Sequence, residues 1–257
     1  MSFAGAMTGN VSFHWLVEEA CLNAWPSLRQ VSFGHWLLRI SGGTSRRINS
    51  INPTSGAMLD LDQVRQAAAT IYGDAGQAIL FRVPSFLPGI EASLQQLGFS
   101  AEGDTLTLYR DLDPTRHAEG TEVELARQAE PDWLEARARF VTSTPAARQL
   151  DRNVMANLLI PHAFATAREA GRVVSIAFGA VHRGLLVLEA VATDPGYRGR
   201  GHARRVVAAL SHWGSASGAR GACLQVLADN EAAKALYRSQ GFDRTLYRYR
   251  YHRQGRT

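Results

Sequence analysis

The chain has 257 residues, 46% hydrophobic and 20% charged, which is long enough for two compact units of ordinary soluble composition. No apolar run approaches the ~20 residues of a membrane helix, and the first residues lack the basic start and apolar stretch of a secretory signal, so a membrane-spanning protein is excluded and a cytoplasmic one expected. The net charge of +5 is uneven: residues 1–110 carry 7 Arg against 8 acidic residues and residues 111–257 carry 21 basic against 15, a field that suits an anionic partner for the second half.

In the first half, Phe13 to Trp25 reads as a helix ended by Pro26. Val31 to Ile40 reads as a strand, or a hairpin about Gly34, and Arg46 to Asn52 as another strand. Leu61 to Tyr72 has helical periodicity, with Val64, Ala68, Ile71 and Tyr72 on one face. Gln77 to Val83 is a strand, Gly89 to Leu97 a helix and Thr105 to Arg110 a closing strand, an α/β order. The polar stretch from Asp111 to Gly120, holding Pro114, reads as a linker, which divides the chain into residues 1–113 and 114–257.

The second half repeats the order. Glu122 to Ala126 is a short strand, and Pro131 to Phe140 and Pro145 to Leu159 are helices with proline in the first turn. Phe164 to Glu169, Val173 to Ala180 and Leu185 to Thr193 are successive strands, followed by a helix at His202 to Ser215, a strand at Ala222 to Leu227 and a helix at Glu231 to Gln240. Leu246 to His252 alternates aromatic or apolar with basic residues, the pattern of an exposed edge strand that could pair with another chain. Leu97-Gly-Phe99 and Gly241-Phe242 close the two halves alike, so the chain reads as a duplicated unit.

The chemistry concentrates after the strand at Leu185. The strand runs into Asp194-Pro195, then a loop with Gly199 and Gly201, then a helix. Glycines there let the backbone approach a ligand, and the first amides of the helix point outward with the positive end of its dipole. That is a site for a pyrophosphate, with Arg198, Arg200, Arg204 and Arg205 adding charge, or else a strand–helix turn with a solvated basic rim. Neither GxxxxGK[ST] nor GxGxxG is present.

Arg198-Gly-Arg-Gly-His-Ala203 resembles the R/Q-x-x-G-x-G/A signature of the GNAT superfamily of acyl-CoA-dependent N-acyltransferases. Downstream, Asn230-Glu-Ala-Ala-Lys-Ala-Leu-Tyr-Arg-Ser-Gln-Gly-Phe242 resembles that superfamily's N-x-x-A-x-x-L-Y-x-x-x-G-F segment. The resemblance covers residues 120–253. The first half resembles a degenerate copy, as in tandem GNAT proteins of the mycothiol-synthase type, with Asn52-Pro-Thr-Ser-Gly-Ala-Met58 where the phosphate signature would stand. The resemblance implies two GNAT-like α/β domains in tandem, each a mixed, mostly antiparallel sheet with flanking helices.

It also implies roles. Backbone groups at Val191 and Thr193 would bond the pantetheine arm of acetyl-CoA, and the amides of Arg198, Gly199, Arg200, Gly201, His202 and Ala203 would hold its pyrophosphate. Asn230 would contact the cofactor arm, and Tyr237 would protonate the leaving thiolate. By periodicity alone, Tyr237 reads as a core aromatic on an amphipathic helix. Glu189, the only acidic residue in its strand, shares a face with Val187 and Val191. It is a candidate base, directly or through water, or the partner of a neighbouring arginine. Arg39, Arg46, Arg47 and Asn49 could line a substrate cleft, or hold a loop together.

Six of the histidines, His14, His35, His162, His182, His202 and His212, have no ligand spacing, so no metal is expected. Cys21 and Cys223 read as buried thiols rather than a disulfide framework. The expected reaction is transfer of an acetyl group from acetyl-CoA to a primary amine, on a small molecule or a peptide, by direct attack in a ternary complex. A non-catalytic acyl-CoA sensor is the alternative, and nucleic-acid association through the basic half the weaker one.

Overall fold

A computed structural model describes residues 11–57, 61–113, 123–141 and 144–255. Most of the linker, from Pro114 to Gly120, and Met58 lie outside them. The first half comprises α1 (Val11–Ala24), the hairpin β1 (Arg29–Phe33) and β2 (Trp36–Ile40), β3 (Ile51–Pro53), α2 (Leu61–Asp74), β4 (Leu80–Pro84), α3 (Pro88–Gln96) and β5 (Phe99–Asp111). The second comprises β6 (Val123–Ala126), α4 (Pro131–Phe140), α5 (Pro145–Ala156), β7 (His162–Glu169), β8 (Arg172–His182), β9 (Leu185–Thr193), α6 (His202–Ala216), β10 (Gly221–Leu227), α7 (Glu231–Ser239) and β11 (Arg244–Gln254). Local chemistry sets the boundaries. Proline opens α3, α4 and α5, and the Thr144 hydroxyl accepts from the Ala147 amide at 3.2 Å to cap α5.

The eleven strands among the described residues form one sheet in the order β1-β2-β3-β4-β11-β5-β10-β9-β8-β7-β6. The order has a pseudo-twofold character about the β11–β5 pair: each half's last strand lies beside the other half's penultimate one. β11 pairs with β4 and β5, and β5 with β11 and β10, all antiparallel. Among the described strands only β3–β4 and β9–β10 are parallel.

Two sequence expectations are corrected here. The segment from Leu246 to His252 is no edge strand, because β4 and β5 occupy both its edges and Tyr247, Tyr249, Tyr251 and His252 are buried. Alternation marks one buried and one solvated face and carries no information about the edges. The arginines face outward and meet acids: Arg250 with Glu91, Arg253 with Glu102, Arg248 with Asp104 and Arg244 with Asp111. The stretch from Arg46 to Asn52 is not one strand either. Arg46–Ile48 is a 3-10 turn, and extended backbone resumes at Ile51.

Among the described residues five clusters fill the faces of the sheet, the smallest being Leu80, Tyr249 and Tyr251. In the first half α2 and α3 bury Val64, Ala68, Tyr72 and Leu94 against Leu38 and Phe81. In the second, α6 buries Val206, Val207 and Leu210 against Leu186 and Leu188. Helix α1 crosses over: Phe13, Val17 and Cys21 pack on Ala180, Leu185, Val187 and Cys223 of the second half. Beside it, α4 and α5 place Trp133, Val154 and Met155 on Ile176 and Phe178. At ~1.5–3 kcal/mol per fully buried large side chain, the crossing of α1 binds the halves strongly.

Candidate functional site

β9 and β10 pair only from Leu185↔Gly221 to Leu188↔Leu224, whereas β10 continues along β5 to Leu227↔Thr105. Past Leu188 the two strands part. A bulge marks the place: Glu189 pairs with Phe178 and Ala192 with Ile176, so Ala190 and Val191 together face Ala177. Ala190 takes φ +53°, which a small side chain tolerates best. The strand end with Val191 and Thr193 thus faces an open seam in the sheet, while Thr193 Oγ1 lies 2.9 Å from Ser175 Oγ.

The loop beyond Thr193 is built by Asp194. Its carboxylate accepts from the Gly196 amide at 3.1 Å and from Arg172 at 2.8 Å. Burial opposes its ionisation, but Arg172 and the Gly196 amide outweigh that and hold it below the usual carboxylate value. Arg198 follows, then Gly199 (φ +78°), Arg200 and Gly201 (φ +79°), the last being the N-cap of α6 with no side-chain cap bond. Left-handed backbone at both glycines turns the chain into the helix, and the first-turn amides at His202 and Ala203 sit at its positive end. Among the described residues Arg198 and Arg204 have no ion pair, whereas Arg200 and the buried His202 both meet Glu169 at 2.8 Å. Glu169 escaped the sequence reading because it lies 31 residues before the loop.

Across the seam, Tyr237 of α7 is 8% exposed and lies 6.1 Å, centroid to centroid, from Phe242. Burial, with the Glu189 charge adding to it, pushes its hydroxyl above the usual phenol value. Asn230 caps α7, its side-chain oxygen accepting from the Ala233 amide at 3.1 Å.

Glu189 is 5% exposed and is gripped by both terminal nitrogens of Arg47, Nη1 at 2.6 Å from Oε2. Two residues singled out separately in the two halves are therefore one ion pair. Arg47 also lies over the Trp25 ring at 5.0 Å. Burial alone would lower its pKa, and the charge and hydrogen bonds of Glu189 more than reverse that.

The other first-half candidates bond backbone groups and neighbouring side chains. Arg39 is buried and donates to the carbonyls of Leu22, Trp25 and Arg47. Burial, with Arg47 and Arg82 nearby, pulls it down to about 9, so it stays charged at neutral pH. Asn49 bonds the backbone of Ser41, Gly42 and Ser45. Arg46 sits over Tyr251 at 4.8 Å and 3.6 Å from Glu102.

Sequence reasoning missed a second buried pair, Glu18 with Arg82, whose carboxylate also accepts from the Tyr247 hydroxyl at 2.5 Å. A charged residue on the apolar face of α1 was the available signal. Between the halves a void of about 10 Å³, lined by Arg39, Arg47, Asn52, Arg82 and Gln225 among others, has room for roughly one water. Cys21 and Cys223 are both buried free thiols, and the neighbouring Cys223 together with burial pushes the Cys21 thiol up. Among the described residues no cluster of His, Cys, Asp and Glu could hold a metal, and no helix is long and apolar enough to cross a membrane.

A family model described as "Probable histone acetyltransferase Rv0428c C-terminal" matches residues 15–252. The chain is 23% identical over 232 residues to the uncharacterised N-acetyltransferase YobR of Bacillus subtilis, covering 88% of this chain and 93% of that protein. Among solved structures, a GCN5-related N-acetyltransferase from Kribbella flavida superposes with a TM-score of 0.66 at 16% identity, over 100% of this chain and 97% of that one. A tandem GNAT protein from the clavulanic acid biosynthesis pathway superposes at 0.59 and 12% identity, over 81% and 76%.

Proposed function

The chain belongs to the Rv0428c C-terminal family and is a GNAT acetyltransferase, and from that premise we propose that it transfers an acetyl group from acetyl-CoA to a primary amine in a ternary complex. The observation that carries this reading is the seam between β9 and β10, with the glycine loop and the α6 amides at one end and Tyr237 in one apolar cluster with Leu188, Val191 and Leu224. Unpaired strand edge at Val191 to Thr193 suits an amide-bearing arm, and a helix N-terminus suits its pyrophosphate. The proposed cofactor contacts are the amides from Arg198 to Ala203 and the side chain of Asn230.

The amine nitrogen attacks the thioester carbonyl carbon. A C–N bond forms, the C–S bond breaks, the departing thiolate takes the Tyr237 proton, and the phenolate is reprotonated from water. A carboxylate held by both ends of a guanidinium is a poor base, so we assign the proton lost from nitrogen to water and give Glu189 the task of fixing Arg47 at the cleft. A second reading, an acyl-CoA sensor without turnover, is favoured by one observation: Arg47 closes off the Glu189 carboxylate, and the void that Arg47 helps to line is about 10 Å³.

Calorimetric titration with acetyl-CoA, and with ATP as the phosphate control, tests the donor. A thiol-release assay then takes an amine panel beginning with histone-tail peptides, because the family description names histones, and continuing with small amines. Saturable acetyl-CoA binding with thiol release supports transfer. Binding without release by any amine supports the sensor, and no binding removes both.

A further inference from the structure

The loop between β9 and α6 is tied back to the sheet by a chain of four side chains outside the signature's fixed positions. Arg205 donates to His202 Nδ1 at 2.7 Å, His202 Nε2 lies 2.8 Å from Glu169 Oε2, and Arg200 Nη1 donates to Glu169 Oε1 at 2.8 Å. A guanidinium can only donate, so Nδ1 is the acceptor and the ring proton on Nε2 is directed at Glu169. The His202 side chain is 1% exposed and that of Glu169 39%, so the tether runs from under the loop to its rim.

Both ends of the tether are suited to holding. Glu169 is the last residue of β7, paired with Arg172 across a tight turn in which Ala170 (φ +48°) and Gly171 (φ +77°) are both left-handed. Such a turn matches the twist of its strands and fixes where Glu169 stands. Asp194 and the Tyr197 ring hold the first part of the loop, but its glycines have no packing of their own. Gly199 and Gly201 have nothing within 4 Å of where a Cβ would lie, and no side chain caps α6. Glycines unsupported by packing leave the backbone many conformations, of which only a few aim successive amides at one anion.

We propose that Glu169 is the positioning residue of the diphosphate site: by holding Arg200 and His202 it fixes the glycine loop in the shape that receives the anion. The inference rests on the acetyl-CoA reading above and adds a residue to it. Its sign is opposite to that of simple charge. A carboxylate near a diphosphate repels it, so Coulomb's law alone has binding tighten when Glu169 is neutralised, whereas a positioning role has it weaken.

The experiment titrates the full chain and its Glu169→Ala, Glu169→Gln and Glu169→Asp variants with acetyl-CoA and with S-acetylpantetheine, which carries the thioester and arm but no phosphate. Glu169→Ala is expected to weaken acetyl-CoA binding about tenfold, the scale of one charge-assisted hydrogen bond. Glu169→Gln falls between, and Glu169→Asp recovers part of the loss. S-acetylpantetheine binding stays unchanged, which separates a loop effect from general damage even where losing the His202 partner lowers the thermal midpoint. Equal or tighter acetyl-CoA binding in Glu169→Ala and Glu169→Gln overturns the proposal, as does a parallel loss with S-acetylpantetheine, which marks general damage. A wild-type chain that binds no acetyl-CoA instead fails the donor reading itself.

Discussion

A buried phenol ordinarily has a hydrogen-bond partner, and among the described residues the Tyr237 hydroxyl has none. Tyr237→Phe therefore removes no bond from the fold and is expected to leave the thermal midpoint and the KM for acetyl-CoA unchanged. Its kcat should drop about a hundredfold, the lower end for losing a general acid; an unchanged kcat would show Tyr237 to be core and nothing more. The upward pKa shift sets the pH dependence. The hydroxyl stays protonated beyond the ordinary phenol value of about 10, so kcat rises as the amine deprotonates and shows no alkaline loss from Tyr237 below that pH. Above it the unfolded chain ionises first, and stability falls as pH rises.

Glu189 and Arg47 behave differently, because removing one leaves the other buried without its partner. Glu189→Gln is expected to lower the unfolding free energy by about 2–3 kcal/mol, reduced from the fully buried case because Arg47 is a quarter exposed. Pairing it with Arg47→Met should recover much of that loss in a denaturant melt. Additive losses would mean the two side chains contribute independently.

At the scale of elements, the loop opening α6 depends on Gly201. A Cβ there meets open space, yet φ is +79°, so Gly201→Ala pays strain without a clash. The expected result is a stability loss of about 1–2 kcal/mol, together with weaker acetyl-CoA binding as the first-turn amides swing away. Unaltered affinity would separate the loop from the anion.

Much of this level was legible in the chain. Proline and glycine punctuation located the helices, and the two motifs placed the loop and Tyr237 on the elements where they stand. Contacts between segments distant in sequence were not legible. Nothing in Arg47 or Glu189 taken singly indicates that they meet across 142 residues, and Glu169 belongs to the loop only because β7 and β8 turn back beside it. The same limit misplaced β11. Its alternating tyrosines and arginines reveal a half-buried face, while its neighbours β4 and β5 come from the far half of the chain.

At the scale of the molecule, that exchange decides how the protein holds together. Residues 1–113 alone would keep β1 to β4 as a sheet, yet β4 has no hydrogen bonds to β5, its strand neighbour in sequence, because β11 stands between them. They would also expose the α1 residues Phe13, Val17 and Cys21, which cover the second half, and would strand the Glu18–Arg82 pair without Tyr247. Residues 114–257 would lose α1 from over Leu185 and Val187, and Glu189 would lose Arg47. A half could close on its own last strand, as an undivided unit would, but that single pairing does not replace the buried surface and ion pairs that cross between halves. The full chain should therefore unfold in one cooperative transition. Expressed separately, the two fragments should show shallow, non-cooperative melts by circular dichroism, and mixing them should restore the sharp transition in a one-to-one complex. A sigmoidal melt of either fragment alone, at the midpoint of the full chain, would instead make the halves independent units and the exchange a matter of connection rather than stability.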